Sequence, residues 1–455
     1  MIRFLKIIFI SFLFIPIANS NNCSLFDERE TKNNNSQNNF LKAEHAYVFF
    51  DNSLNMQGFV NKDNSNSSEI NYNYLELINK LPLAISTISK KQSFQSFSKT
   101  IKTIGTENVT NTTQTSFYEC NEPGKECIKN KSKISKILNV MSKEGSDEAN
   151  LYILVTDLVL PLDQLITEEK KKIDSSFKQA LDVGKSIGIF GIKSKFNGDI
   201  WGLPDGKKYE QAKERPFFVI MIGDQEVILK LKKILEADLF NEIKKEDYHF
   251  SLFTNDLIAN PITSNNFSKK NFITAKGIQS SSFYDESADI SQFNFDKKHD
   301  PLAISLNLAD IQTPYSSLLD KFIVRTNIKN IDKCKDFKFK DTESQEKFII
   351  FDNYTDNKIN FKFLNRANKD SNLLPRGRSY ILQADIFSQA ISDESGNWFK
   401  EWSFSKTELD EIISTGKDFF PVLNLSDFGN LLSEIQKERF TEQFLGSFQF
   451  AINLK

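Results

Sequence analysis

His45-Ala-Tyr-Val-Phe-Phe-Asp-Asn-Ser-Leu-Asn-Met-Gln-Gly-Phe59 is the stretch whose reading decides the fold. Four apolar residues, Tyr47 to Phe50, run directly into Asp51, then Ser53, then Asn55, with Gly58 just beyond. An unbroken apolar run that stops at an acid is the pattern of a strand buried on both faces and ending at a functional edge. Open α/β sheets place ligands at the carboxyl ends of such strands. Oxygen-bearing residues at i, i+2 and i+4 in the following loop can turn toward one point, which suits a hard divalent cation.

Downstream the pattern repeats. Leu151-Tyr-Ile-Leu-Val155 runs into Thr156-Asp157, Ser186-Ile-Gly-Ile-Phe-Gly-Ile192 ends at Lys193-Ser-Lys-Phe-Asn-Gly198, and Arg215-Pro-Phe-Phe-Val-Ile-Met-Ile222 makes a fourth strand. Helical spacing separates them. Tyr74, Leu77, Ile78 and Leu81 share one face up to an interruption at Pro82; Ile134, Ile137, Leu138 and Met141 another; Ile173, Phe177, Ala180 and Leu181 a third; Val227, Ile228, Leu231, Ile234, Leu235 and Leu239 a fourth. Short strands are expected between Gln92 and Ile104, and loop from Thr106 to Thr115. Strands alternating with helices predict a doubly wound, mostly parallel sheet covered on both faces.

Over residues 43–245 the chain resembles the von Willebrand factor A (VWA) family, whose metal-ion-dependent adhesion motif is Asp-x-Ser-x-Ser. Asp51, Ser53 and Asn55 stand at those positions, with Asn55 in place of the last Ser. The resemblance implies that the strands ending at Asp51 and Asp157 are neighbours. It implies a metal site of Asp51, Ser53, Asn55 and Asp157 for Mg²⁺ or Mn²⁺, completed by an acidic side chain from a protein partner. The family's Thr ligand is open among Thr106, Thr110, Thr112, Thr113 and Thr115. Ser194, Lys195 and Asn197 end a strand expected beside the one ending at Asp157, and have two readings: a rim of the same crevice, or a tight turn held by Gly198. Ser194-x-Phe196-x-Gly198 followed by Arg215-Pro-Phe-Phe also looks like exported bacterial members of the family. The competing reading of the motif is a degenerate site in which Asp51 caps a helix N-terminus.

From residue 246 to 455 short alternating runs such as Lys358-Ile-Asn-Phe-Lys-Phe-Leu364 and Tyr380-Ile-Leu-Gln-Ala-Asp-Ile-Phe387 alternate with polar turns. They predict a mainly antiparallel β region of the immunoglobulin-like sandwich sort, with a helical insert from Phe428 to Ile435. Trp398 and Trp402 fit core packing on a sandwich strand, with an exposed aromatic patch as the other reading. Arg376-Gly-Arg378 reads as a solvated turn.

Residues 1–20 carry Arg3 and Lys6, an apolar core and Ala18-Asn-Ser20, the pattern of an export signal, and residues 21–42 read as a flexible Asn-rich leader. An extracytoplasmic setting follows: periplasm, cell surface or secreted. Cys23 invites a lipoprotein reading, but the small residue that precedes a lipidated Cys is absent. In an oxidising compartment Cys120 and Cys127, bracketing Asn121-Glu-Pro-Gly124, are expected to pair, leaving Cys23 and Cys334. No later segment has the length and apolarity of a membrane span. The formal charge of −2 supplies no field for nucleic acid. No G-x-S-x-G elbow or phosphate-cradling Gly-rich loop occurs. The expectation is therefore a non-enzymatic exported binding protein. The alternatives are a structural envelope or secretion-assembly component with an inactive metal site, and a metal-dependent hydrolase using Ser53.

Overall fold

The apolar run through Phe50 forms β1 (Ala43–Asp51), and strands on both sides of it build a seven-stranded sheet. The computed structural model describes residues 42–255 apart from short stretches at 63–70, 99, 120–132, 144–148, 160–167, 205–208, 211 and 239–242. Beyond 255 it describes the strands between 272 and 391 and most of 397–454. Cys23, Cys120, Cys127 and Cys334, with the export segment, lie outside the described residues.

The other strands of the sheet are β2 (Ser89–Phe97), β3 (Ile101–Ile104), β4 (Leu151–Thr156), β5 (Ser186–Lys195), β6 (Glu214–Gly223) and β7 (Tyr248–Phe253). Their order is β3-β2-β1-β4-β6-β5-β7. β1 is parallel to β2 and to β4, as expected for the strands ending at Asp51 and Asp157. The other half departs from a mostly parallel sheet, because β6 is antiparallel to β4 and β5, and β5 is antiparallel to β7. The fold is thus mixed α/β with a mixed sheet. The reason lies between Lys195 and Glu214, where the chain carries no crossover helix among its described residues, and a strand that returns without one pairs antiparallel.

Four helices cover the faces: α1 (Asn73–Ile88), α2 (Ile134–Lys143), α3 (Glu168–Asp182) and α4 (Gln225–Asp238). Alternate residues along a strand serve opposite cores, as the period of two demands. Leu151, Ile153 and Val155 face the core of α1 and α4, whereas Tyr152 and Leu154 face that of α2 and α3. α1 does not stop at Pro82. Ala84, Ile85 and Ile88 extend its buried face past the proline, and that burial outweighs the lost backbone hydrogen bond, a cost of about 3 kcal/mol.

The sheet outlasts the boundary expected at 245, since β7 is its last strand. Past it come β8 (Phe272–Ile273), β9 (Ser280–Asp285), β10 (Ala288–Phe295), β11 (Leu302–Asn307), β12 (Leu319–Asn330), β13 (Lys335–Asp336), β14 (Ile349–Thr355), β15 (Lys358–Phe363), β16 (Arg366–Asn368), β17 (Ser371–Asn372) and β18 (Arg378–Ile391). A six-stranded sheet, β13-β12-β18-β21-β10-β9, closes on β21 (Gln443–Leu454), and β14-β15-β11-β8 form a four-stranded one. Pairing is antiparallel except between β10 and β21.

Between the hydrogen-bonded neighbours β18 and β21 the chain makes a long excursion. It holds α5 (Asn397–Glu401), β19 (Ser403–Phe404), α6 (Leu409–Thr415), β20 (Val422–Leu423) and α7 (Leu425–Arg439). The excursion packs on the first sheet. Trp398, Trp402 and Phe428 join the core of α2 and α3, while Phe404, Leu409 and Phe420 join the other. The Trp pair is buried, as its core reading required, but on and beside helix α5, not on a strand. No helix among the described residues is long and apolar enough to cross a membrane.

Candidate functional site

The parallel register pairs Phe50 with Val155, so Asp51 and Thr156 end side by side at the carboxyl edge of the sheet. Thr156 Oγ1 donates to Asp51 Oδ2 at 2.7 Å, and the Ser53 backbone N–H donates to Asp51 Oδ1 at 2.9 Å. One residue on, Asp157 precedes Leu158, a buried non-glycine residue held at φ 51°. That left-handed turn is a strained backbone position for a γ-branched side chain, and such positions persist only where surrounding structure enforces them.

Because β6 runs antiparallel to β4, it brings its first residues to this same edge. Arg215 Nη2 donates to Asp157 Oδ2 at 3.3 Å. Arg215 is 1 % exposed, Asp157 2 % and Asp51 0 %, so the ion pair is buried, with Arg215 Nε and Nη1 finding no hydrogen-bond partner among the described residues. The guanidinium carbon lies 5.0 Å from the Phe196 ring centroid and 5.9 Å from that of Phe59, within the range of cation–π attraction. Burial pulls the Arg215 pKa down, and the charge and hydrogen bond of Asp157 oppose it. Arginine keeps its proton in such a setting.

The expected metal ligands are brought together, but apart from the Ser53 hydroxyl, which has no hydrogen-bond partner among the described residues, their oxygens are committed elsewhere. Asn55 turns away from Asp51: its Nδ2 donates to the Trp201 carbonyl at 3.2 Å, and its Oδ1 accepts the Trp201 N–H at 2.7 Å. Asp157 holds Arg215, and both oxygens of Asp51 accept hydrogen bonds. Ser53 contributes a buried hydroxyl. A hard divalent cation draws its shell from free anionic oxygens and water. These donors do not fit one, because a guanidinium already supplies the positive charge. Among the described residues no three His, Cys, Asp or Glu side chains gather as a metal-holding group.

The hydroxyl that reaches Asp51 comes from Thr156, not from the loop of Thr106, Thr110, Thr112, Thr113 and Thr115. That loop forms a 3₁₀ segment, Thr106–Thr113, in which Thr112 donates to the Val109 carbonyl and Thr113 to that of Thr110. It does carry a buried relay toward the site. Tyr118 OH donates to the Thr112 carbonyl at 2.7 Å and lies 3.0 Å from Tyr74 OH. Burial raises both phenol pKa values, and the negative charge of Asp51 adds to it, so both remain neutral.

Ser194 and Lys195 do not rim a crevice beside Asp157, because β6 lies between β4 and β5. Ser194 Oγ accepts the Tyr74 N–H at 3.1 Å, and Lys195 Nζ sits over the Tyr72 ring at 5.4 Å. Asn197 belongs to a loop that folds back over the site. Its N–H donates to the Gly58 carbonyl, and its own carbonyl accepts from Asn61 Nδ2. Phe196 packs on Gly58, and a Cβ on Gly198 would stand 2.7 Å from the Gly58 Cα. Residues 196–201 thus seal the carboxyl edge, pinned by Asn55 on Trp201. A methyl group at Gly58 would overlap the Phe196 ring. Gly58→Ala is therefore expected to destabilise by about 1–3 kcal/mol through overpacking. Urea unfolding checks this, and an unchanged midpoint would show that the loop yields freely.

Arg215 and Thr156 were not among the residues singled out from the sequence for this site. A signal for Arg215 was present: a cation leading directly into an apolar run needs a buried acid as partner. No family model matches the chain, and no curated protein or solved structure matches it.

Proposed function

We propose that this chain is a non-enzymatic exported protein of VWA-like build, a structural or assembly component that holds protein partners without a metal ion at its adhesion-type edge. The observation that carries this reading is the buried Arg215–Asp157 pair at 3.3 Å, which puts a fixed cation where the adhesion motif would recruit a diffusible one. Support for the VWA-like build comes from the strand ending at Asp51, flanked by parallel neighbours, with the Asp-x-Ser sequence in the loop that follows. A hydrolase using Ser53 is disfavoured, since Ser53 and both acids are closed off from solvent. Export and an extracytoplasmic setting remain part of the proposal through residues 1–20.

Titration calorimetry of the full chain with Mg²⁺ and with Mn²⁺ tests it, together with thermal melting in chelator and in millimolar metal. No saturable heat and no shift in melting temperature are expected. A ligand bound only by the native state raises stability by RT ln(1 + [L]/Kd), so a rise in melting temperature with metal, lost in Asp51→Ala, would overturn the reading.

A further inference from the structure

One of the contact sets that hold the excursion between β18 and β21 on the first sheet is aromatic. Gly191 of β5 and His249 of β7 are cross-strand partners, so they face the same side of the sheet. A Cβ at Gly191 would stand 2.6 Å from the Trp398 ring and 3.1 Å from that of Trp402, so the glycine makes the recess in which both lie. Trp398 Nε1 donates to Ser251 Oγ at 2.9 Å, two residues along β7 on the same face. The His249 ring stacks on Trp398, 5.4 Å between centroids at 18°, and meets Trp402 edge-on at 4.7 Å. Lys193 Nζ lies 5.4 Å from the Trp402 centroid and 3.0 Å from Asp247 Oδ1.

We propose that His249 makes this seam a proton-sensitive clasp: neutral imidazole lets α5 dock on β5 and β7, and protonation loosens the excursion. The charged groups acting on the ring come from three elements. Lys193 of β5 opposes protonation, while Glu401 of α5 and Asp247, just before β7, favour it. Burial is the largest influence, and the His249 pKa lies below its ordinary value. A histidine whose folded pKa is depressed contributes stability that is complete above the unfolded value of about 6.5. That contribution is lost as pH falls from there through the depressed value. Each unit of depression makes undocking about tenfold more favourable at acid pH. The two Trp rings attract the imidazolium and oppose this effect.

The test compares wild type with His249→Phe, which keeps a ring in the recess and removes the proton. Hydrogen exchange of peptides spanning 397–439, corrected for the intrinsic pH dependence, is followed from pH 7.5 to 5, with tryptophan fluorescence in parallel. Wild type should lose protection in these peptides below about pH 6.5, ahead of peptides from β1 and β4, and His249→Phe should keep it. His249→Gln serves in the same way if the Phe variant does not fold. Equal loss of protection in wild type and variant, or no loss in wild type, overturns the proposal.

Discussion

Arg215→Met is expected to lower stability by about 3–5 kcal/mol, the cost of leaving a buried acid without its partner. The methionine stem fills much of the space that the arginine stem fills against Phe59 and Phe196, so the loss reports on charge more than on volume. Asp157→Leu alone should be similarly costly, since it strands the guanidinium. The double variant, with apolar groups at both positions, should recover most of the loss, because paired removal also removes both desolvation penalties. Equilibrium urea unfolding of the four proteins closes the cycle. Additive single effects, with no coupling beyond about 0.5 kcal/mol, would show that the pair does not organise the edge.

Trp398→Ala is the second large effect, about 3–5 kcal/mol, the usual range for truncating a buried Trp. The side chain is buried among Phe218, Phe399, Trp402 and His249, and its N–H is paired with Ser251. Its loss leaves a cavity and removes the hydrogen bond to Ser251 at once. The damage should concentrate in the excursion, with α7 losing exchange protection while β1 and β4 keep theirs. A cost under about 1 kcal/mol, with α7 still protected, would mean that the remaining apolar contacts and the Arg439–Asp182 pair suffice to hold it.

What could be read from the residues was the half of the sheet around Asp51. There an apolar run, an acid and the helix that follows all agree, and β1, β2 and β4 are parallel neighbours. The antiparallel placement of β5, β6 and β7 was not legible from apolarity. A strand buried on both faces is written as a continuous apolar run whichever way its neighbours point. The informative feature was the connection, since no helical spacing lies between Lys195 and Glu214. The error then carried over to Ser194 and Lys195, which one antiparallel strand separates from Asp157.

The Trp pair shows a different ambiguity. Residues four apart share a face in a helix and also in a strand, because four is close to a helical turn and is twice the strand period. Burial of Trp398 and Trp402 was therefore legible and the element was not. Asn55 was read as an oxygen ligand because the motif places it there. Its amide is also a donor, and the two-point match to the Trp201 backbone uses both ends. Nothing in the local sequence could have named a partner 146 residues away.

The order in which the chain is made sets a further condition on the excursion. Trp398 meets Ser251 across 147 residues, and Arg439 meets Asp182 across 257. A nascent chain threaded from its amino terminus completes β7 long before the residues that cover it arrive. Until then the recess at Gly191, the His249 ring and the apolar flank of α3 face water or whatever else binds them. Contacts this distant along the chain are entropically slow to form, and surface left bare in the meantime is where off-pathway association begins. The same glycine recess that receives Trp398 at the end of folding thus stays uncovered by the excursion until residues 397–439 have been made.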